Sequence, residues 1–239
     1  MTEALYRSDS YAKECSAKVL AINERGGIIL DRTICYPAGG GQPGDGGVLR
    51  GSNGECLIAT TVFDSDRRTI VHVPTEGALM PSVGEDVNLT LDWGLRHQFM
   101  RVHTALHLLC SLIPFPVTGG QIGAGEGRLD FDIQEAGAID KEALTTDLMA
   151  LVVANHRVTD RWITDAELNA NPGLVRTMAV KPPMGSGKVR LVAIGEDGAI
   201  DLQPCGGTHV CSTGEIGNVR ITKTEKKGKQ NRRVRIALS

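Results

Sequence analysis

Two short stretches, about a hundred residues apart, restrict this chain more than anything else in it. In DLQPCGGTHVC, residues 201–211, Cys205 and His209 are separated by two glycines and a threonine. That is too few ligands for a zinc site and the wrong spacing for a C-x-x-C redox pair. In HTALH, residues 103–107, the two histidines fall on one face of a helix. Together His103, His107, Cys205 and His209 make a nitrogen/sulfur set suited to one tetrahedral Zn2+ per chain, if the fold brings the two stretches to one point. Gly206 and Gly207 let the second pair turn sharply enough to aim both side chains at one ion. Each pair alone also fits a blander description, two surface histidines on a helix or an unliganded loop. Three of the chain's six histidines lie in these two motifs, which favours the joint site.

HTALH also excludes one chemistry. A zinc metalloprotease carries H-E-x-x-H, with Glu as base, and here Thr104 takes that place. Any hydrolysis must find its base elsewhere, including on the substrate. His97 lies roughly 240° around the helix from His103 and is no co-ligand. Cys110 is expected to be a buried free thiol.

Size permits one large domain or two modest ones in 239 residues. An apolar share of 41% and a charged share of 23% match a soluble globular protein. At 4%, aromatics are too scarce for rows of base-stacking rings. The N-terminus lacks the pattern of a signal peptide, and no apolar run approaches the roughly 18–20 residues of a membrane helix. A cytoplasmic protein without membrane contact is expected. Its six scattered cysteines are then reduced thiols or metal ligands.

The first ninety residues read as strands, with turn signals at 23–27 and 64–68. Between them PAGGGQPGDGG (37–47) is too rich in Gly and Pro for a regular element, with Asp45 closing a turn. It has no G-K-[ST] ending and leads towards a strand, so it is not a nucleotide phosphate loop. Asp92 is suited to cap a helix that Pro114 and Pro116 stop. Strands follow around 117–133, then a helix from Asp140 to about His156, a strand at 189–194 and a final hairpin. From Lys223 to the end there are seven Lys/Arg and one acid, +6 in a chain of net charge −2. The remainder therefore carries −8. This pattern points either to a polyanion touched at one place or to cations guarding an edge strand.

HTALH and CGGTH at this separation resemble the editing domain of alanyl-tRNA synthetase. YPAGGGQPGDGG, LDWGLRHQFMRVHTALHLL, VTGGQIGAGEGRLDFDI, DLQPCGGTHV and EKKGKQNRRVRIAL extend the likeness over nearly the whole chain. Without a synthetase core or a long C-terminal extension, it resembles the free-standing, medium-length AlaX-type alanyl-tRNA editing proteins. The resemblance implies an α+β fold. A β-rich, barrel-like domain (1–90) would precede an α+β editing domain (91–239) of the threonyl/alanyl-tRNA synthetase second-additional-domain type.

It also implies a zinc-dependent, ATP-independent deacylase acting in trans on tRNA(Ala) mischarged with serine, and secondarily glycine. Lys226, Lys227, Lys229, Arg232 and Arg233 would then meet phosphates, and Gly39, Gly40, Gly41 and Gln42 would approach the substrate end. A pocket that hydrogen-bonds the serine hydroxyl rejects alanine, because its own polar group would go unpaired. Thr118 falls where the family places the residue sensing that hydroxyl, and Gln121 is the neighbouring candidate. Two alternatives stay open: a non-catalytic RNA-binding module with structural zinc, and a generic zinc-dependent esterase.

Overall fold

In DVNLTL (86–91) every second side chain is apolar, and Val87, Leu89 and Leu91 are the buried ones. The same period of two gives neighbouring strands a single core face. The computed structural model describes residues 2–133, 139–176, 187–228 and 230–239. Two units emerge, Met1–His97 and Gln98–Ser239.

The first unit contains β1 (Glu3–Ala4), β2 (Glu14–Ile22), β3 (Ile28–Leu30), β4 (Arg32–Thr33), β5 (Gly47–Gly51), β6 (Gly54–Phe63), β7 (Ile70–Pro74) and β8 (Asp86–Leu91). Strands β2-β3-β7-β6-β5-β8 close in that order into an antiparallel barrel, and β1 and β4 form a short parallel pair. Val19, Ile28, Leu30, Leu49, Cys56, Ile58 and Leu89 are among its buried core residues. Side chains set both anticipated turns. Asn23 Oδ1 accepts from the backbone N–H of Arg25 and Gly27, and Asp66 accepts from those of Arg68 and Thr69.

The glycine-rich segment joins β4 to β5. Gly39 and Gln42 exchange backbone hydrogen bonds at 3.0 and 2.9 Å around Gly40 and Gly41, whose φ values are +58° and +85°. Side chains are disfavoured at both central positions of such a turn, which accounts for the glycine run. Asp45 does more than close a turn. Its carboxylate accepts from Tyr36 N–H and from Arg96, which also donates to the carbonyls of Ser10 (3.1 Å) and Ile34 (2.8 Å).

Helix α1 (Trp93–Leu112) begins where Asp92 Oδ1 accepts from Leu95 N–H at 3.0 Å and ends before Pro114 and Pro116. The division between units falls within it. In the second unit, β9 (Val117–Ile122), β10 (Glu126–Asp132), β14 (Val219–Lys227) and β15 (Asn231–Leu238) form an antiparallel sheet in the order β14-β15-β10-β9. At Gly127 in β10 an added Cβ would lie 2.6 Å from Val102 Cγ1, so glycine is what lets α1 lie against the sheet. Helix α2 (Lys141–Val153) is capped by Asp140, which accepts from the N–H groups of Glu142 and Ala143. It ends short of His156, because Asn155 takes φ +52°. Then come β11 (Val158–Thr164), α3 (Asp165–Ala170), β12 (Lys188–Ile194) and β13 (Asp201–Pro204), with sheet order β11-β12-β13. Met100, Leu108, Leu109, Phe131, Leu148 and Val234 are fully buried in this unit. No helix among the described residues is long and apolar enough to cross a membrane.

Candidate metal centre

The anticipated convergence of two distant stretches is present. His103 and His107 project from α1 and are buried, at 9% and 6% exposure. Asp201 and Gln203 alternate along β13, and Cys205 follows in the same period of two. The chain then turns through Gly206 and Gly207 to His209. Arg190 on β12 holds that turn, donating to the carbonyls of Cys205 (3.2 Å) and Gly207 (2.8 Å). One ligand atom from each of His103, His107, Cys205 and His209 lies within 4.8 Å of the others. Cys205 Sγ is 3.5 Å from His103 Nε2 and 3.3 Å from His209 Nε2. A tetrahedral shell with bonds of about 2.0–2.3 Å separates sulfur from nitrogen by about 3.6 Å, so this donor set fits a metal ion.

Behind these side chains, further residues meet the outer nitrogens of His209 and His107. Thr104 Oγ1 donates to Met100 O (3.0 Å), and both Val210 N–H (3.3 Å) and His209 Nδ1 (3.1 Å) face its lone pairs. His107 Nδ1 lies 2.8 Å from Asp201 Oδ2. Gln203 Nε2 is 3.1 Å from that nitrogen and 2.8 Å from the same Asp201 oxygen. A nitrogen donating its proton to Asp201 has no lone pair for Gln203, so the amide proton goes to the carboxylate. Asp201 Oδ1 is buried without a hydrogen-bond partner among the described residues. Such an atom costs about 1–3 kcal/mol, an expense typical of a functional site rather than of a stabilising one.

The electrostatics suit a cation. Burial would raise the Cys205 thiol, but His103 and His209 bring it well below its ordinary value. Burial and the neighbouring His103 hold His209 well below its own. Thiolate and neutral imidazole are the forms that bind metal. Burial pulls His107 down as well, yet Asp201 and Cys205 outweigh it and raise it to about 10, so metal binding must displace a proton there.

Residues 189–235 match the family model of the threonyl and alanyl tRNA synthetase second additional domain. Residues 7–95 match that of class II (A) tRNA synthetases. Alanyl-tRNA editing protein AlaX-M of Methanosarcina mazei is 34% identical over 249 residues, covering 100% of this chain and 97% of that protein. The AlaX-M of Saccharolobus solfataricus is 33% identical, with 98% of each chain covered. The chain belongs to the alanyl-tRNA editing protein family. Alanine–tRNA ligase of Pyrobaculum aerophilum is 34% identical over 94% of this chain but over only 25% of the ligase.

Other residues expected to serve an alanyl-tRNA editing protein are placed less simply. Gly119 pairs with Asp130 and Val117 with Phe131, which leaves Thr118 as the extra residue of a β-bulge. Its hydroxyl lies 3.2 Å from Asp130 O and 3.1 Å from Asn231 Oδ1. Gln121, on the same strand, is exposed and accepts from Arg128 Nε at 3.2 Å. In the first unit nothing lies within 4 Å of a Cβ built on Gly40, whereas Gln42 is only 2% exposed. It is therefore buried and cannot serve as an open contact.

The basic hairpin does not present one surface. Lys226 and Arg232 pair on the face that also holds buried Val234 and Ile236, while Lys227 and Arg233 lie on the opposite face. Arg233 donates twice to Asp130, at 2.7 and 2.8 Å, and is already committed. Lys229 lies outside the described residues.

Sequence reasoning missed Asp201, Gln203 and Arg190, and saw in Thr104 only the absence of a glutamate. The available signal was D-x-Q-x-C, a row of polar residues repeating every second position on a strand that leads into the ligand pair.

Proposed function

We propose that the protein is a zinc-dependent aminoacyl-tRNA deacylase that acts in trans, without ATP, on mischarged tRNA(Ala) in the cytoplasm. Serine is the chief misplaced amino acid and glycine the second, so the activity protects translation fidelity. The observation that carries this reading is the meeting of His103, His107, Cys205 and His209, in a chain aligned from end to end with proteins named for alanyl-tRNA editing. Three imidazoles and a thiolate favour zinc over harder cations.

When bound, zinc supplies positive charge and an anchor at the aminoacyl end. Four protein ligands close its shell, which favours an orienting role. The helix brings no general base, and in this proposal a hydroxyl of the terminal ribose assists the attacking water. Thr118 offers a hydroxyl to the serine side chain, with Gln121 beside it on β9.

In this proposal residues 91–239 form the editing domain, and residues 1–90 bring Gly39, Gly40 and Gly41 to the substrate end. Gln42 then closes the turn through its backbone. Lys226, Lys227, Lys229 and Arg232 supply phosphate contacts.

The test is release of free amino acid from Ser-tRNA(Ala) and Ala-tRNA(Ala) by purified protein. Rapid release of serine with alanine spared supports the proposal. Equal release from both points to a general esterase, and release from neither to an RNA-binding module with structural zinc; either outcome overturns it.

A further inference from the structure

A histidine binds a metal through one nitrogen only if the other is held in its protonated form and the ring is turned correctly. In this centre the groups that impose those conditions can be counted. Thr104 has one hydroxyl proton and two lone pairs. The proton goes to Met100 O, one turn back along α1, at 3.0 Å. One lone pair faces Val210 N–H at 3.3 Å, and the other faces His209 Nδ1 at 3.1 Å. With its only proton spent, Thr104 can act towards His209 solely as an acceptor. His209 must then carry its proton on Nδ1 and present a bare Nε2, the atom 3.3 Å from Cys205 Sγ. Asp201 does the same for His107: its Oδ2 takes the Nδ1 proton at 2.8 Å and is itself held by Gln203 at 2.8 Å.

We infer that Thr104 and Asp201 are positioning residues that select the Nδ1–H tautomers of His209 and His107 and turn both Nε2 atoms onto one metal ion. This rests on the reading of the four-residue cluster as a zinc site. Thr104, which occupies the place of the metalloprotease glutamate, thus acts as an acceptor for a ligand rather than as a base. It also ties α1 to the Cys205–His209 turn, because its hydroxyl bonds residues on both.

The test is zinc affinity of the full-length protein, by competition with a chromophoric chelator, together with the visible spectrum of the Co2+-substituted form. Thr104→Val keeps the shape and removes the hydroxyl, Thr104→Ser restores it, and Asp201→Asn keeps the shape and removes the charge. Thr104→Val and Asp201→Asn should each weaken zinc about 10–100-fold, with altered ligand-field bands. Thr104→Ser should stay within about threefold of the parent, a rescue that a purely packing role for the threonine methyl would not produce. Affinities within twofold of the parent for both Thr104→Val and Asp201→Asn would overturn the inference while leaving the metal site itself intact. Failure of the parent protein to bind zinc, or unchanged binding in Cys205→Ala, would instead overturn the zinc reading beneath it. If Thr104→Val does not fold, Asp201→Asn and the Thr104→Ser spectrum still decide the matter.

Discussion

Arg96 and Asp45 form an ion pair in which neither side chain is more than 1% exposed. The guanidinium also binds two carbonyls, and Asp45 also accepts from Tyr36 N–H, so most of its hydrogen-bonding capacity is used. Removing one member leaves a buried charge without its counterpart. Asp45→Ala should therefore lose about 3–5 kcal/mol in urea unfolding, and Asp45→Ala/Arg96→Met should recover part of it. A loss under about 1 kcal/mol would show that water or another group compensates.

His72 gives the first unit a definite acid limit. It is wholly buried, with Nδ1 donating to Ile28 O at 3.1 Å and Nε2 facing the Thr33 hydroxyl at 2.8 Å. Burial lowers its pKa to about 4, against 6.5 for an ordinary histidine. Below pH 6.5 the unfolded chain binds a proton that the native one refuses. The stability present above pH 6.5 is thus lost as pH falls towards 4, by about 3 kcal/mol in total. Urea titrations from pH 7.5 to 4 should show this slope, and His72→Gln should flatten it. An equally steep curve in the variant would assign the acid limb to other groups.

At Thr118 the expected effect is on discrimination rather than on folding. Losing a hydroxyl that pairs with the substrate's own should slow Ser-tRNA(Ala) deacylation about 10–100-fold. Alanine release should stay at its low level. If Thr118→Val clears Ser-tRNA(Ala) at the parent rate, the serine hydroxyl is sensed elsewhere.

The cations of the hairpin should separate by role in salt titrations of tRNA binding. Lys227→Ala should lower the slope of log K against log salt by about 1, as for one lost phosphate contact. Arg233 is different. Burial would raise the Asp130 carboxyl, but Arg233 and Arg128 hold it below the usual range, and Arg233 is spent on that pairing. Arg233→Ala should leave the slope unchanged and cost about 1–2 kcal/mol of stability. A slope change for Arg233→Ala equal to that for Lys227→Ala would contradict this division.

These cases also mark what can be read from residues alone. The cluster of His103, His107, Cys205 and His209 was legible because H-x-x-x-H and C-x-x-x-H are local patterns whose chemistry has few other uses. Helix α1 was legible because Asp92 starts it and Pro114 follows it, both within a turn of its ends. By contrast, the Asp45–Arg96 pair joins a glycine-rich loop to a helix, and neither side carries a mark of the other. Arg233 looked free because Asp130, which neutralises it, lies on a strand far away in sequence. Thr104 was noticed only as the residue replacing a glutamate. Its acceptor role depends on Met100, Val210 and His209 arriving together, which no periodicity encodes.

The closed barrel has a consequence for how the chain is made. Its last ladder pairs Glu14 with Thr90 and Lys18 with Asp86, so the first long strand waits for the eighth. Loop closure on that scale is slow compared with hairpin formation. During synthesis the N-terminal unit therefore cannot seal until Leu91 has left the ribosome, and the pairing of Arg96 with Asp45 follows only then. Until that moment β2 and β5 each present an unpaired side, and a nascent chain stalled near residue 85 should be a substrate for chaperones.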